Sequence, residues 1–374
     1  MKCPLAILVP DPIGTPANTF IRRYVCDLLP GGTAVIAPAA VPGAPSSWSI
    51  SGPFLDVSRV VGGRLRWQVA HGVARQFGVL LDHVMVRRFL ERHQVEVVLS
   101  QYLDFSWQWI AVARDLGLPF FVHAHGDDYL IRPSQDGWRE RYLDYRAIAG
   151  IVANSRNARE VLVSLGLDAA KIHVAPCGVD VPAEPLPHPA RTEIRCVAVG
   201  RMVHQKAPVL LLDSFRRAAE LCPNLRLDFM GDGPLLPAAE EYVRAFRLHD
   251  KVTLHGLQFQ DSVIARLRQS DLLIQHSLWE GLGVSILEAM AQALPVVATS
   301  CVGIVETMID GITGYLTEPG DSAAMADRIV VLARDPELRR RMGLAGFARV
   351  RDHFTWERER ADLLRILGLE SAAA

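Results

Sequence analysis

The chain of 374 residues, half of them hydrophobic, is long enough for two domains that each have their own core. The net charge of −1 argues against a general nucleic-acid-binding protein. The six cysteines are scattered with no CxxC pair, which indicates core residues in a reducing cytosol, not disulfides or a zinc site. The first apolar run is too short for a signal peptide and no apolar stretch is long enough to span a membrane. We therefore expect a cytoplasmic protein, or one attached to the inner face of the membrane.

In the first half of the chain, short apolar runs alternate with longer segments whose apolar residues recur at helical spacing. The apolar runs predict strands over residues 5–9, 34–37, 95–99, 119–123, 150–153 and 171–175. The segments between them predict helices over residues 18–29, 65–93, 107–116, 138–148 and 158–165. Strand and helix in alternation indicate a parallel sheet with helices on both faces.

A proline-rich connector interrupts this alternation at Val181–Pro189, where four of nine residues are proline. Such a segment is stiff and non-helical, so it is typical of a linker. We place the domain boundary here, with an N-terminal domain over residues 1–183 and a C-terminal domain over residues 184–355. The remaining residues, 356–374, predict a helix that packs back on the N-terminal domain.

The alternation restarts after the connector. Strands are predicted over residues 194–199, 225–230, 252–255, 271–274 and 295–298, and helices over residues 208–221, 235–247, 265–269, 284–293, 323–333, 336–350 and 356–367. The fold class is therefore α/β, with two doubly wound domains. Ligands of such sheets lie beyond the carboxyl ends of the strands, which here predicts a cleft between the domains.

The most informative stretch is Trp279–Ala293, in which Glu280 and Glu288 stand eight positions apart. A Gly-x-Gly turn lies between the two glutamates, and an apolar pattern at helical spacing follows. Glycines let the backbone turn tightly and approach a ligand. The free N–H groups of the new helix, around Gly283 and Val284, form an anion site. The stretch predicts a site for a ligand that has both phosphate and hydroxyl groups, as a sugar nucleotide does.

Two cations follow the first strand of the second domain. Arg201 comes directly after Gly200, and Lys206 lies five residues further on. Arg can grip a phosphate with a planar fork, and Lys acts as a point charge. Either one alone is also typical of a solvated surface, but we expect both at the sheet edge where the Gly283 helix begins. The GDGP turn at 231–234 ends another strand, and it either lines the cleft or is only a turn that needs glycine.

In the first domain, a buried strand runs into His123 and His125, which would share one strand face. A third metal ligand at fixed spacing is missing, so we interpret His123 as a core residue. His125 stands at the strand end, where it could stabilise phosphate charge or hydrogen-bond a sugar hydroxyl, and Asp128 follows it into the cleft. Gly14, after the first strand, would permit close approach of a substrate. No G-x-G-x-x-G pattern is present there, so a dinucleotide site is not supported.

The segment Arg59–Arg92 is basic. It holds seven arginines, at positions 59, 64, 66, 75, 87, 88 and 92, against Asp82 and Glu91. Arg64, Trp67 and Phe77 in this segment could seat an anionic lipid surface or a charged acceptor. The alternative is a solvated face on ordinary helices.

Taken together, these residues resemble the retaining glycosyltransferases of family 4, which have the GT-B fold of two Rossmann-like domains facing a cleft. Glu280 to Glu288 fits the E-x7-E signature of that family. Further matching segments are Gly200-Arg201 with Lys206, GDGP at 231–234, EAMAQALPVVAT at 288–299, Gly303 with Glu306, DGITGYL at 310–316, PGD at 319–321, APCGVD at 175–180, ANTFIRR at 17–23 and HGDD at 125–128. Residues 40–110 match only loosely, and Ala207 stands where the family has glycine after its lysine.

The resemblance implies a role for each matching residue. Arg201 and Lys206 would hold the donor diphosphate together with the backbone N–H groups of Gly283 and Val284. Glu288 would bind the ribose hydroxyls. Glu280 would contact the donor sugar, and His125 would lie near the reacting centre.

The resemblance also implies an activity: transfer of a sugar from a UDP- or GDP-sugar to a glycan, lipid-linked or small-molecule acceptor in surface polysaccharide or glycoconjugate synthesis. No metal or other cofactor is expected, because cationic groups and a helix N-terminus can stabilise the leaving diphosphate. Two alternatives stay open: a catalytically inactive nucleotide-sugar-binding protein of the same fold, and a GT-B enzyme of another chemistry, such as a phosphorylase or an epimerase.

Overall fold

The computed structural model describes residues 2–15, 19–39, 48–57, 81–185 and 191–372. The chain divides into two units, one made of Met1–Ala175 with Arg360–Ala374 and the other of Pro176–Glu359. The division falls at residue 176, eight positions before the boundary that the proline-rich connector predicted, and the C-terminal helix changes unit at residue 360, four positions after the predicted 356.

Backbone pairing explains why the second unit begins before the prolines. The Val179 N–H donates to Phe354 O over 2.9 Å, and the Trp356 N–H donates to Val179 O over 3.2 Å. The Gly178 N–H donates to the buried carboxylate of Glu359 over 2.7 Å. Residues 177–179 are thereby fastened to the end of the second unit, and the prolines come only afterwards.

The described strands of the first unit form one parallel sheet in the order β3-β2-β1-β4-β5-β6-β7. These strands are β1 (Leu5–Leu8), β2 (Thr33–Ala37), β3 (Phe54–Asp56), β4 (Val97–Gln101), β5 (Phe120–Ala124), β6 (Gly150–Ala153) and β7 (Ile172–Val174). The α-helices are Thr19–Asp27, Leu81–Arg92, Leu103–Ser106, Ile110–Asp115, Asp127–Leu130, Trp138–Arg141 and Arg156–Ser164. The central strands are buried throughout and largely apolar, as expected for a parallel sheet covered by helices on both faces.

The second unit repeats this plan. Its described strands form a parallel sheet in the order β10-β9-β8-β11-β12-β13. They are β8 (Ile194–Val199), β9 (Leu225–Met230), β10 (Val252–Leu254), β11 (Leu272–Gln275), β12 (Val296–Thr299) and β13 (Gly314–Thr317). The α-helices are Pro208–Leu221, Leu236–Ala245, Gln260–Leu267, Val284–Ala291, Ile304–Thr307, Ser322–Arg334 and Pro336–His353, and Trp356–Ile366 closes the chain. The predicted α/β class with two doubly wound sheets is confirmed.

The described elements differ locally from the predicted ones in several places. The strands β3 and β13 were not predicted; β3 has three residues with an exposed Phe54, and β13 starts at a glycine. The predicted helix 138–148 is an α-helix only over Trp138–Arg141 and continues as a 3₁₀ helix over Tyr142–Ala147. The predicted helix 65–93 lies partly outside the described residues, which show Leu81–Arg92 as helical. Of the helices in the described ranges, none has the length and apolarity to cross a bilayer.

Candidate functional site

At the carboxyl edge of the second sheet, Glu280 is buried in a set of polar contacts. It follows β11 by five residues, and only 6% of its surface is exposed. Its Oε1 forms an ion pair with the ammonium group of Lys206, which comes from the loop after β8. The same oxygen accepts from Ser277 Oγ over 2.7 Å and from Gln275 Nε2 over 3.1 Å. The fold thus brings together two predicted residues that lie 74 positions apart.

Arg201 lies in the same loop as Lys206 but is exposed. Its Nη2 donates to Gln205 Oε1 over 3.3 Å, and Gln205 Nε2 donates to Trp279 O over 3.1 Å. The Leu278 N–H donates back to Gln205 O over 2.8 Å. Gln205 therefore ties the loop after β8 to the loop after β11. It was not among the predicted residues, because nothing in its sequence context marks it.

The helix Val284–Ala291 begins at this edge. Gly283 precedes it with φ +85°, a left-handed conformation that favours glycine. Among the described residues, the backbone N–H groups of Val284 and Ser285 have no protein acceptor, as expected in the first turn of a helix. The Ser285 hydroxyl donates to Gln275 Oε1 over 2.7 Å, which connects the helix start to the polar contacts of Glu280. Free N–H groups and the helix dipole together favour an anion here.

Glu288 lies one turn further along the same helix, and only 6% of its surface is exposed. Its Oε1 accepts from Gln260 Nε2 over 2.6 Å. Gln260 is the first residue of the helix Gln260–Leu267. Carboxylate oxygens accept hydrogen bonds, so Glu288 suits a ligand that carries hydroxyl groups.

The glycines of the GDGP turn are needed for close packing of two loops. A Cβ on Gly231 would lie 1.9 Å from Gly200 O, and one on Gly233 would lie 2.6 Å from Met202 O. The Met202 N–H donates to Asp232 O over 2.8 Å. The turn therefore supports the loop that carries Arg201, which favours the interpretation as a turn that needs glycine.

In the first unit, His125 lies at the carboxyl end of β5, half-buried among aromatic rings. The ring centres of Tyr102 and Phe20 lie 4.6 and 4.9 Å from that of His125. Its Nε2 lies 2.9 Å from Gln101 Oε1. An amide oxygen only accepts, so Nε2 carries the proton and Nδ1 is the acceptor nitrogen. Burial and the neighbouring His123 hold the pKa of His125 well below 6.5, so the ring is neutral near pH 7.

Asp128 holds this loop in place. It is 2% exposed, and its carboxylate accepts from the backbone N–H groups of Leu103, His125 and Gly126 over 3.0, 3.0 and 2.8 Å. Burial raises the pKa of Asp128 to about 6, although the three N–H groups act in the opposite direction. With both oxygens bound to backbone, Asp128 fixes the position of His125. The predicted place of Asp128 in the cleft stays a prediction.

His123 lies behind His125, with ring centres 4.5 Å apart. It is fully buried, and among the described residues neither ring nitrogen has a hydrogen-bond partner. Burial lowers the pKa of His123 to about 3, so this ring is also neutral. The residue is the core histidine that the sequence indicated, and its ring packs 5.1 Å from that of Tyr24.

In the first unit, Gly14, which the sequence indicated, and Tyr102, which it did not, both have a positive φ. Gly14 has φ +87°, and no described atom lies within 4 Å of where a Cβ would stand, so there is room for close approach. Tyr102, beside His125, has φ +63°, which is strained for a residue with a side chain. Such strain concentrates at functional sites, but only a structure reveals it.

His276 was also missed. It follows β11 directly, is fully buried, and accepts the Gly320 N–H at Nε2 over 2.9 Å. Burial lowers the pKa of His276 to about 4, against the raising effect of Asp321. His276 thereby anchors the PGD segment, in which the Asp321 side chain caps the helix Ser322–Arg334. A lone histidine beside a strand gave no signal of this role.

The basic segment Arg59–Arg92 is described only from residue 81. There Arg87 forms an exposed ion pair with Glu91 over 3.2 Å. Trp67 and Phe77, which completed the predicted lipid-facing group, lie outside the described residues. Lipid contact by this segment stays a prediction.

Two parallel α/β units, the second with a lysine–glutamate pair and a helix N-terminus at the carboxyl edge of its sheet, define a GT-B glycosyltransferase fold. The chain belongs to the group 1 glycosyl transferases: residues 187–349 match the family model described as glycosyl transferases group 1, and residues 46–182 match the model of glycosyltransferase family 4.

Individual relatives agree with this assignment. The chain is 27% identical over 252 residues to alpha-D-kanosaminyltransferase of Streptomyces kanamyceticus, covering 62% of this chain and 65% of the relative. It is 37% identical over 133 residues to N-acetyl-alpha-D-glucosaminyl L-malate synthase of Bacillus anthracis, covering 36% and 34%. The chain thus spans less than two thirds of the length of these curated relatives. The solved structure of Anabaena HepE in complex with UDP and glucose is similar in fold, with a TM-score of 0.77, 16% identity and coverage of 98% and 100%.

Proposed function

We propose that this protein is a retaining glycosyltransferase that moves a sugar from a UDP- or GDP-sugar to a glycan or lipid-linked acceptor. The observation that carries the proposal is the buried pair of Lys206 and Glu280, joined through Gln275 to the start of the helix Val284–Ala291. A cation, a carboxylate and free N–H groups meet there, as a sugar diphosphate requires.

The second unit supplies the groups that bind the donor. Lys206, Arg201 and the N–H groups of Val284 and Ser285 all favour negative charge, so they suit the diphosphate. Glu288 lies one helical turn beyond these N–H groups, and its carboxylate can accept hydrogen bonds from the two ribose hydroxyls. Glu280 stays bound to Lys206, Ser277 and Gln275, so its orientation toward the sugar is set before the donor arrives.

The chemical step follows from the same groups. The acceptor oxygen attacks the anomeric carbon, the bond from that carbon to the diphosphate oxygen breaks, and the acceptor proton passes to the leaving phosphate. Negative charge grows on the diphosphate as the bond breaks. Lys206, Arg201 and the helix N-terminus stabilise that charge more in the transition state than in the ground state, which is what accelerates the reaction. We propose that no metal takes part.

His125 is proposed to act on the transferred sugar. Its ring is neutral, its Nε2 proton is directed at Gln101, and Asp128 fixes its backbone. A neutral ring with a free Nδ1 is an acceptor, which suits a hydroxyl group of the sugar and not a phosphate.

Two relatives and one solved structure of similar fold support a nucleotide-sugar as the donor. One relative is named a kanosaminyltransferase and another an N-acetyl-glucosaminyl L-malate synthase, so both names describe sugar transfer. The similar HepE structure contains UDP and glucose. We propose a donor of that class for this chain.

Calorimetry with UDP and GDP tests the donor site. We expect one of them to bind, and Glu288→Ala to weaken that binding by at least about tenfold, the worth of hydrogen bonds to a charged group. Glu240→Ala, an exposed change of the same kind in the same unit, is the control. Equal binding by wild type and Glu288→Ala would sink the ribose role of Glu288.

Hydrolysis of the donor separates an enzyme from an inactive binding protein of the same fold. We expect slow release of free sugar from the preferred donor in the absence of acceptor, and proton NMR of the first-formed anomer should show retention. Binding without any hydrolysis or transfer would favour the inactive alternative, and release of the opposite anomer would contradict retention.

A further inference from the structure

On the surface of the first unit, two indole rings hold one arginine. The Arg141 guanidinium carbon lies 4.9 Å from the ring centre of Trp107 and 4.8 Å from that of Trp138. Arg132 also contacts Trp138, at 5.4 Å. Arg141 is exposed while both indoles are half-buried, so the guanidinium lies against the two rings at the surface. Contact with two rings restricts the side chain, and the exposed guanidinium keeps N–H groups that can reach a ligand in solvent.

The carboxylates of this cluster are engaged with other groups. Asp104 forms an ion pair with Arg132 over 2.5 Å, and Asp144 accepts from Trp107 Nε1 over 2.8 Å. Within the described part of the chain, the Arg141 guanidinium has neither an ion pair nor a hydrogen bond. A rigid guanidinium without an anion is a preorganised receptor, because neither side-chain entropy nor an internal partner has to be given up on binding.

The cluster is fastened to the loops at the carboxyl edge of the first sheet. Trp107 follows β4 through the short helix Leu103–Ser106. The Tyr145 hydroxyl donates to Leu103 O, and the Tyr142 hydroxyl donates to Asp128 O. Asp128 is the residue that positions His125, so the arginine cluster and the candidate catalytic histidine share one rigid support.

We propose that Arg141, held between Trp107 and Trp138, binds a phosphate or carboxylate group of the acceptor. That the bound anion belongs to an acceptor rests on the proposed glycosyltransferase function. Binding of an anion at Arg141 does not depend on that function. A planar guanidinium edge matches the oxygens of either anion in a bidentate geometry. A neutral sugar would instead use the open face of an indole, and the facing sides of both indoles are taken by Arg141.

Titration of the protein with inorganic phosphate tests the site without knowledge of the acceptor. The indole N–H resonances of Trp107 and Trp138, followed by ¹H–¹⁵N NMR, should shift in a saturable way. Arg141→Gln should abolish this shift. Arg141→Lys keeps the charge but loses the planar edge, so it should bind at least about tenfold more weakly. Arg139→Gln, an equally exposed charge change in the same helix, is the matched control and should behave as the wild type.

Two results would overturn the proposal. One is the absence of a saturable shift in the wild type, or the same shift with potassium chloride at equal ionic strength. The other is an equal loss in Arg139→Gln and Arg141→Gln, which would indicate only a general charge effect. Melting temperatures of the variants show whether they are folded, and Arg141→Lys serves as the test if Arg141→Gln is not.

Vesicles identify the source of the anion. Co-sedimentation with vesicles containing phosphatidylglycerol, but not with pure phosphatidylcholine, and its loss in Arg141→Gln would assign the site to lipid-linked phosphate. Equal behaviour with both vesicles together with phosphate binding would assign it to a soluble acidic acceptor. Loss of hydrolysis in the wild type would count against the proposed function and leave the phosphate titration valid.

Discussion

Arg201 and Lys206 lie in one loop, yet their environments give them different dependence on the fold. Arg201 is exposed and its Nη2 donates a long hydrogen bond to Gln205, whereas Lys206 is largely buried against Glu280. We therefore expect a change at Arg201 to affect charge stabilisation in the proposed reaction, and a change at Lys206 to affect both that reaction and the stability of the fold.

Replacement of Arg201 by alanine should lower kcat/KM with little effect on folding. Loss of one group that stabilises the leaving diphosphate is expected to cost about 2–4 kcal/mol in the transition state, or about 30- to 1000-fold in rate. Steady-state kinetics and the melting temperature measure the two effects. Arg341→Ala, an exposed change in the same unit, is the control. A near-wild-type kcat/KM for Arg201→Ala would contradict the role in the diphosphate site.

The Lys206→Ala variant should unfold more easily than the wild type, because the substitution leaves the Glu280 carboxylate buried without its cation. Breaking such a pair costs about 3–5 kcal/mol. The double variant Lys206→Ala with Glu280→Gln removes the charge from both positions and should regain most of that stability without regaining activity. Urea unfolding and kcat/KM measure this. Equal stability of the single and double variants would show that the pair is not what Lys206 contributes to the fold.

Individual site residues could be predicted from the sequence to the extent that a motif marks them. Glu280, Glu288, Arg201 and Lys206 stand in such motifs, and the fold brings Lys206 to Glu280. Their partners Gln205 and Gln260 could not be predicted, because an amide that orients a neighbour has no fixed spacing from it in the sequence.

At the scale of elements, the loops after β8 and β9 depend on each other through glycine. A Cβ on Gly231 would meet Gly200 O at 1.9 Å, and Gly231 has φ +148°. Because the contact is with backbone, a flexible side chain cannot relieve it. The position of Arg201 therefore depends on a residue in another turn.

Replacement of Gly231 by alanine should destabilise the protein by more than the same change at Gly256. Gly256 has φ +64° and open space around it, so its replacement should cost about 1 kcal/mol from backbone strain alone. For Gly231 the steric clash adds to the strain, so we expect a total of about 2–4 kcal/mol and a fall in kcat/KM. Urea unfolding of both variants decides this. A cost for Gly231→Ala no larger than that for Gly256→Ala would show that the two loops can separate freely.

The link between β11 and the PGD segment should make stability depend on pH. His276 accepts the Gly320 N–H only while Nε2 is unprotonated, and the pKa of His276 is lowered from 6.5 to about 4. In the folded state it binds fewer protons than in the unfolded state between these values. Its contribution is therefore complete above pH 6.5 and is lost as the pH falls toward 4.

Between pH 7.5 and pH 5.0 this loss amounts to about 2 kcal/mol of unfolding free energy. His276→Gln keeps an acceptor for the Gly320 N–H but does not titrate. From pH 7.5 to pH 5.0 its unfolding free energy should therefore fall by about 2 kcal/mol less than that of the wild type. Urea unfolding at the two pH values gives the difference, with the exposed change His249→Gln as control. The same pH dependence in wild type and His276→Gln would refute the assignment.

At the scale of the whole molecule, the two sheets could be predicted because apolar runs and helical spacing alternate strongly through both halves. The division at Pro176 could not, since it depends on pairing of Val179 with Phe354 and Trp356, which lie about 175 residues away in the chain. Proline content marks where a chain is stiff, whereas long-range backbone pairing decides which unit a segment joins. The short strands β3 and β13 could not be predicted for a related reason. Pairing with a neighbouring strand, and not their own composition, makes them strands.

The charge distribution of the donor site leads to a prediction about metals. Lys206, Arg201 and the N-terminus of the helix Val284–Ala291 supply positive charge at one edge of the sheet, so a diphosphate can be neutralised by the protein itself. At the same edge, Oε1 of Glu280 is bound by Lys206, Ser277 and Gln275, so this oxygen is already engaged with protein groups.

Transfer or donor hydrolysis should therefore continue after treatment with excess EDTA, with a rate within about twofold of the untreated enzyme. Addition of magnesium chloride at a fixed ionic strength, balanced with potassium chloride, should change kcat/KM no more than that. The Lys206→Ala variant provides an internal comparison, because a metal could substitute for the missing cation there and raise the residual rate. Complete loss of wild-type activity in EDTA, restored by Mg²⁺, would overturn the metal-free reaction and would mean that the cations of the protein are not sufficient for the leaving diphosphate.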